Sequence, residues 1–251
     1  MTKPSVYKKL AGLLATLMLL ISKPSFGETL LVGILDSPMM GYLDADNQLS
    51  GFEAELAQQI CERIDYQCEF ILQPFGLNLE GVRQGHLDLA FSSILVTDAR
   101  KKYLTFSERY MRSVSIYVGN PKKQPKYRPT KVGVVKDSVQ EFYLQQNFSH
   151  SMETLTYTNV DEAYAALKSG ETDRVLLPAI IQLGFLYDDR SGLFDLIEGP
   201  IDNPKLTGDV AIAITPERPE LKTGIDQAIR SLLTDGSYNH LNNKYFPFNI
   251  Y

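Results

Sequence analysis

The stretch Asp88-Leu-Ala-Phe-Ser-Ser-Ile-Leu-Val-Thr-Asp-Ala-Arg100-Lys-Lys-Tyr-Leu-Thr-Phe106 decides how the chain reads. Leu87 to Phe91 is a short apolar run suited to a buried strand. Ser92 and Ser93 follow as a polar turn, and Thr97 to Arg100 opens a helical turn. Open α/β sheets bind ligands at the carboxyl ends of their strands. Here that end carries two hydroxyls, free helix-start amides and one guanidinium able to grip a carboxylate through two parallel hydrogen bonds. An N-cap followed by a solvated arginine would account for the same residues.

Upstream of this stretch, Thr29 to Leu35 is a run of Leu, Val and Ile that ends at Asp36-Ser-Pro-Met-Met-Gly-Tyr42. After a turn at Asp44 to Gln48, the residues Phe52, Leu56, Ile60 and Ile64 recur at the spacing of one helix face. Gln67 to Leu72 reads as the next strand, and Phe75 opens a helix that turns Leu79 and Val82 inward. Downstream, Ser113 to Val118 alternates like a strand and runs into the proline-broken basic loop Pro121 to Pro129. A second β/α set begins at Lys131 to Val135, with a turn at Lys136 to Val139 and a helix over Gln140 to Gln146. Strands at Leu155 to Tyr157 and Thr172 to Leu177 flank a helix at Val160 to Leu167. Pro178 leads into a further helix reaching Tyr187. Gly208 to Ile214 is a return strand, and Pro219 to Leu233 forms an amphipathic helix with Leu221, Ile225, Ile229 and Leu232 on one face. Strands alternating with amphipathic helices predict α/β architecture with doubly wound, largely parallel sheets.

The chain has 251 residues, 44% of them hydrophobic, enough for one large domain or two modest ones. Residues 1–27 read as a secretory signal. Lys3, Lys8 and Lys9 precede an apolar run from Leu10 to Ile21, and Ser25-Phe26-Gly27 places small residues at a cleavage site after Gly27. Losing that leader removes four lysines and no acid, which takes the formal charge from −5 to −9. An acidic exported protein is a poor nucleic-acid partner. Cys61 and Cys68 are the only cysteines. In an exported chain this spacing predicts a disulfide rather than a metal site, since His86, His150 and His240 supply no ligand spacing. Neither a metal nor a cofactor is expected.

The run from Ser92 to Arg100, followed by Tyr103-Leu-Thr-Phe-Ser-Glu-Arg-Tyr110, resembles the signature of bacterial extracellular solute-binding proteins of family 3, the polar amino-acid receptors of ABC transporters. Gly51-Phe52-x-x-x-Leu56-Ala57 matches as well, and the Cys61–Cys68 gap resembles the histidine- and lysine/arginine/ornithine-binding branch. The resemblance implies a bilobal periplasmic-binding-protein fold of type II, with two doubly wound, mostly parallel sheets joined by two hinge crossings. Lobe 1 would comprise residues 28–117 and 208–251, and lobe 2 residues 118–207. It further implies a ligand clamp built from Asp36, Phe75, Ser92, Ser93, Leu95, Arg100 and Ser138. Arg100 would pair with a carboxylate, and Ser138 would bind from the start of a lobe-2 helix. The expected partners of this monomer are a small amino-acid-like carboxylate and an inner-membrane ABC permease, with the periplasm as its compartment.

Several positions depart from that pattern. Leu95 stands where a Ser or Thr is usual, Asp137 where a Gly is usual, and Met39 and Met40 where an aromatic is usual, with Tyr42 a substitute. Pro178 occupies the place of the lobe-2 Asp that pairs with a ligand's α-ammonium, which leaves Asp36, Asp137 and Asp209 as replacement candidates. Exported cyclohexadienyl dehydratases resemble the same receptors, so an enzyme is the second reading. Glu80, Asp98 and Asp173 lie near motif positions, although no nucleophile–base set accompanies them. A stand-alone ligand sensor is the third.

Overall fold

The computed structural model describes residues 28–127, 129–148 and 151–251, so the expected leader at residues 1–27 lies outside the described residues. The described chain forms two five-stranded sheets. The first runs in the order β4 (Gln67–Gln73), β1 (Thr29–Leu35), β5 (Leu89–Phe91), β12 (Gly208–Ile214), β6 (Thr105–Ser113). The second runs β11 (Asp195–Leu196), β7 (Ser115–Gly119), β10 (Arg174–Pro178), β8 (Thr130–Val135), β9 (Met152–Tyr157). A short hairpin of β2 (Tyr42–Leu43) and β3 (Leu49–Ser50) caps the first. In each sheet a parallel trio, β4-β1-β5 and β10-β8-β9, is joined by antiparallel strands. The architecture is thus α/β and bilobal, with mostly parallel sheets.

The strand β1 sits between two parallel neighbours, and its Leu30, Val32 and Ile34 are fully buried. Such continuous apolar runs mark parallel strands covered on both faces. The covering helices α1 (Phe52–Arg63), α2 (Phe75–Arg83), α6 (Leu221–Asp235) and α7 (Ser237–Tyr245) belong to the first lobe. The second has α3 (Val139–Asn147), α4 (Val160–Ser169) and α5 (Ala179–Asp188). On α6 the stripe Leu221, Ile225, Ile229 and Leu232 is buried, as its spacing predicts, and the helix packs against β6. Each such burial contributes about 1.5–3 kcal/mol relative to exposure.

The chain passes between the sheets more abruptly than the sequence suggests. The alternating run Ser113 to Val118 is not one strand but the end of β6 and most of β7. Ser113 pairs with Gly208 in the first sheet, and Ser115 pairs with Pro178 in the second. The sheet-to-sheet passage therefore falls at Val114, earlier than the expected passage after Tyr117. A period of two continues across such a change of partner, so periodicity alone cannot place it. β6 itself begins inside the signature run, at Thr105, and continues past it to Ser113. The return passage runs through Leu206 into β12, and the Ser115 hydroxyl donates to the Leu206 carbonyl, tying the two crossings together.

Cys61, near the end of α1, is bonded to Cys68 in β4. In the chain-entropy picture, a loop this short stabilises the fold by about 2–3 kcal/mol. Replacing both cysteines by serine is therefore expected to lower the melting temperature by roughly 5–10 °C. Calorimetry of the oxidised wild type beside the double variant checks this, and coincident melting curves would contradict it.

Candidate ligand-binding site

Between the lobes lies a cavity of about 50 Å³. Its first-lobe wall is Leu35, Phe75, Ser92, Ser93, Leu95 and Arg100. Ser113, Ser115 and Leu206, at the two crossings, also line it, and the second lobe adds Val135, Ser138, Val139, Gln140, Val160, Leu177, Pro178 and Ile181. Six of the seven residues expected at the site, Phe75, Ser92, Ser93, Leu95, Arg100 and Ser138, therefore meet around one space. The seventh, Asp36, does not. Its exposed side chain lies in a separate surface groove with Met39, Tyr42 and Asp161. Partial burial, and secondarily the charge of Asp161, raise its pKa above the ordinary aspartate value.

Among the described residues Arg100 is the only charged one lining the cavity. It is 5% exposed and stands on a single 3-10 turn, Arg100–Lys102. One guanidinium nitrogen donates to the Leu95 carbonyl at 3.0 Å. Another reaches across the cleft to the Asp137 carbonyl at 3.3 Å. The group lies 5.3 Å from the centroid of Phe75, a cation–π contact. No carboxylate of the described residues forms an ion pair with it. Burial lowers its pKa to about 10, an effect that Tyr103 and Asp137 oppose. A buried guanidinium held by carbonyls and a ring face keeps donors in hand for an incoming anion.

The hydroxyls around it differ in what they can offer. Asn78 donates to the Ser92 oxygen at 2.6 Å, which leaves the Ser92 proton to donate elsewhere. Gly33 makes this possible, because a Cβ there would sit 2.1 Å from the Asn78 side-chain oxygen. Ser138 caps α3, accepting from the Glu141 amide at 3.1 Å, so its proton is also available. The adjacent amides of Val139 and Gln140 open the helix and have no carbonyl four residues back within it. Ser93 is the opposite case. Its amide and hydroxyl both donate to Glu53, at 2.6 and 2.9 Å, so towards the cavity it can only accept. That grip also holds Ser93 at φ 49°, in the sparsely populated left-handed region.

Asp137 also takes a left-handed conformation, φ 61°, which Asp tolerates and Gly adopts freely. Its amide donates to Glu141, and it lines the neighbouring groove with Gly76, Glu80, Asp98 and Phe142 rather than the cavity. Asp209 is engaged by Arg109 and Arg112 at 3.6 and 3.5 Å. Asp173 accepts from the Lys131 amide. None of the acids named as ammonium partners or acid catalysts lines the cavity. Among the described residues no group of three or more His, Cys, Asp or Glu is placed to hold a metal ion.

Gln140 and the crossing residues Ser113, Ser115 and Leu206 escaped the sequence reading. Gln140 is 4% exposed and donates from its side-chain nitrogen to Ser115, while its side-chain oxygen accepts from no donor among the described residues. A glutamine two residues after a capping serine was the available signal. Glu53 was legible only as part of Gly-Phe-x-x-x-Leu. It is fully buried, its second oxygen has no partner, and it accepts from Tyr110 as well as Ser93.

Two lobes meeting over a buried, cationic cavity define a clamshell receptor for a small solute. The chain belongs to the bacterial extracellular solute-binding proteins, family 3, whose model matches residues 30–248. It is 28% identical to the L-arginine-binding protein of Pseudomonas aeruginosa, over 97% of this chain and 98% of that protein. It is 27% identical to the lysine/arginine/ornithine-binding periplasmic protein of Escherichia coli, over 83% of each. In fold it matches a periplasmic binding protein of Salmonella typhimurium with high arginine specificity, at a TM-score of 0.79 and 20% identity, over 88% of this chain and all of that one.

Burial pushes the Glu53 carboxyl up to about 7, against the lowering effect of its bonds to Tyr110 and Ser93. A folded-state pKa above the unfolded one means the native chain keeps this proton longer. The group's contribution to stability is therefore complete below about pH 4.5 and is lost as pH rises through about 7. Glu53→Gln, which cannot ionise, is expected to gain on the wild type between pH 5 and pH 8. Paired melting curves across that range test this, and a constant difference would contradict it.

Proposed function

We propose that the chain is the solute receptor of an ABC importer. In this reading the leader is cut after Gly27, the mature monomer works in the periplasm, and it captures a small carboxylate-bearing ligand between its lobes for delivery to an inner-membrane permease. The observation that carries the reading is Arg100, a buried guanidinium without an anionic partner among the described residues, facing a cavity that both lobes line. A carboxylate on Arg100 would also accept from Ser92 in the first lobe and from Ser138 and the α3 amides in the second. Because only the closed state offers both sets, the ligand draws the lobes together.

The relatives support this reading by name, since they are receptors for arginine, or for lysine, arginine and ornithine. Binding without turnover fits the cavity lining, which pairs one cation with hydroxyls and amides and presents no acid in reach of a leaving group. Glu80 and Asp98, the positions an enzyme could have used, lie in the adjoining groove.

Arg100→Ala tests the assignment. Loss of one charge-assisted pair in a desolvated cleft costs about 2–5 kcal/mol, so affinity for any carboxylate ligand should fall by more than tenfold. Titration calorimetry on protein refolded free of ligand measures this, with circular dichroism as the check on folding. A folded variant of unchanged affinity would remove Arg100 from the site.

A further inference from the structure

Resting on the carboxylate reading of Arg100, we infer that the ligand is a small monocarboxylate with an apolar body and a neutral, proton-donating α-substituent, a 2-hydroxy acid, and that α-amino acids, basic ones above all, are disfavoured. The chain is charged on one side only of what an amino acid needs. Every Asp and Glu of the sequence lies within the described residues, and none lines the cavity. The three acids that could have replaced a missing ammonium partner are each elsewhere. Asp36 is exposed in another groove, Asp137 faces the groove beyond Arg100, and Asp209 is engaged by two arginines. Glu53 stands behind Ser93 and spends its bonded oxygen on Ser93 and Tyr110.

The neutral groups left around the α-position suit a neutral substituent. Ser93, its own proton committed to Glu53, is an acceptor, and the Gln140 side-chain oxygen is a second. A ligand hydroxyl satisfies either at no charge-burial cost, whereas an ammonium there would be a desolvated cation beside the Arg100 cation without an anion. Apart from Ser113 and Ser115 at the crossings, the rest of the wall is apolar, with Leu35, Val135, Val160, Leu177, Pro178 and Ile181 among it, and it would strip the water from a guanidinium or ammonium side chain and give it no anion.

The test uses the mature protein refolded free of ligand, with melting temperatures taken beside matched acids: leucine, 4-methyl-2-oxopentanoate, 2-hydroxy-4-methylpentanoate, arginine, lysine and histidine. A ligand at one hundred times its dissociation constant raises the melting temperature by roughly 5–10 °C in a chain of this size. The expected result is such a shift with the hydroxy acid, binding about tenfold or more weaker for leucine and weaker binding of the oxo acid, and none with the basic amino acids. Leucine, the oxo acid, arginine, lysine or histidine binding as well as or better than the hydroxy acid would overturn the inference and leave the carboxylate reading standing. Absence of a shift with every acid would overturn both.

A gain-of-function variant addresses the same point from the other side. Pro178 lines the cavity at the cap of α5 with φ −54°, a position and conformation that suit aspartate. Pro178→Asp is expected to move preference towards leucine over its 2-hydroxy analogue by about tenfold or more. An unchanged ratio in a folded variant counts against the charge argument.

Discussion

The arrangement depends on one buried cation. Taking the Arg100 guanidinium out of water costs several kcal/mol unless its donors are met, and the protein meets them only in part. Leu95 supplies a carbonyl from the same lobe, Phe75 a ring face, and Asp137 a carbonyl from the other lobe. The third of these contacts exists only while the lobes are together. The same guanidinium therefore holds the cleft closed and is the group that an incoming carboxylate would take over.

Around it, the fold sets each neighbour's hydrogen-bonding direction. Parallel strands end at the cleft, so β5 delivers Ser92 and Ser93 and β8 delivers the Ser138 turn. Asn78, admitted by Gly33, fixes Ser92 as a donor. Glu53, reaching from α1, fixes Ser93 as an acceptor. Two adjacent serines thus have opposite roles because different helices hold them from behind, and this division makes the cavity polar at one end without adding a charge. The polar end is shared between lobes, while the apolar remainder comes mostly from the second.

Much of this was legible in the sequence. The β/α alternation, the α6 stripe and the disulfide follow from spacing and composition. The clustering of Phe75, Ser92, Ser93, Leu95, Arg100 and Ser138 follows from the resemblance. What was not legible depends on side-chain direction. Asp36 follows a strand whose end faces the cleft, yet its carboxyl turns outward to a groove beside Asp161. Asp137 sits next to the capping Ser138, yet a left-handed backbone turns it away from the cavity. Gln140 gave no signal beyond its place two residues after the capping Ser138, because a buried glutamine is recognised by its partners rather than by its spacing. The passage at Val114 was hidden because strand alternation continues across it.

The central claim is that a carboxylate on Arg100 bridges the two lobes. A crystal structure of the mature protein with its tightest-binding acid tests it most directly. The account predicts the ligand carboxylate on the Arg100 guanidinium, with Ser92 and the start of α3 donating to the same group. A carboxylate placed elsewhere, with Arg100 still bonded only to the Leu95 and Asp137 carbonyls, would contradict it.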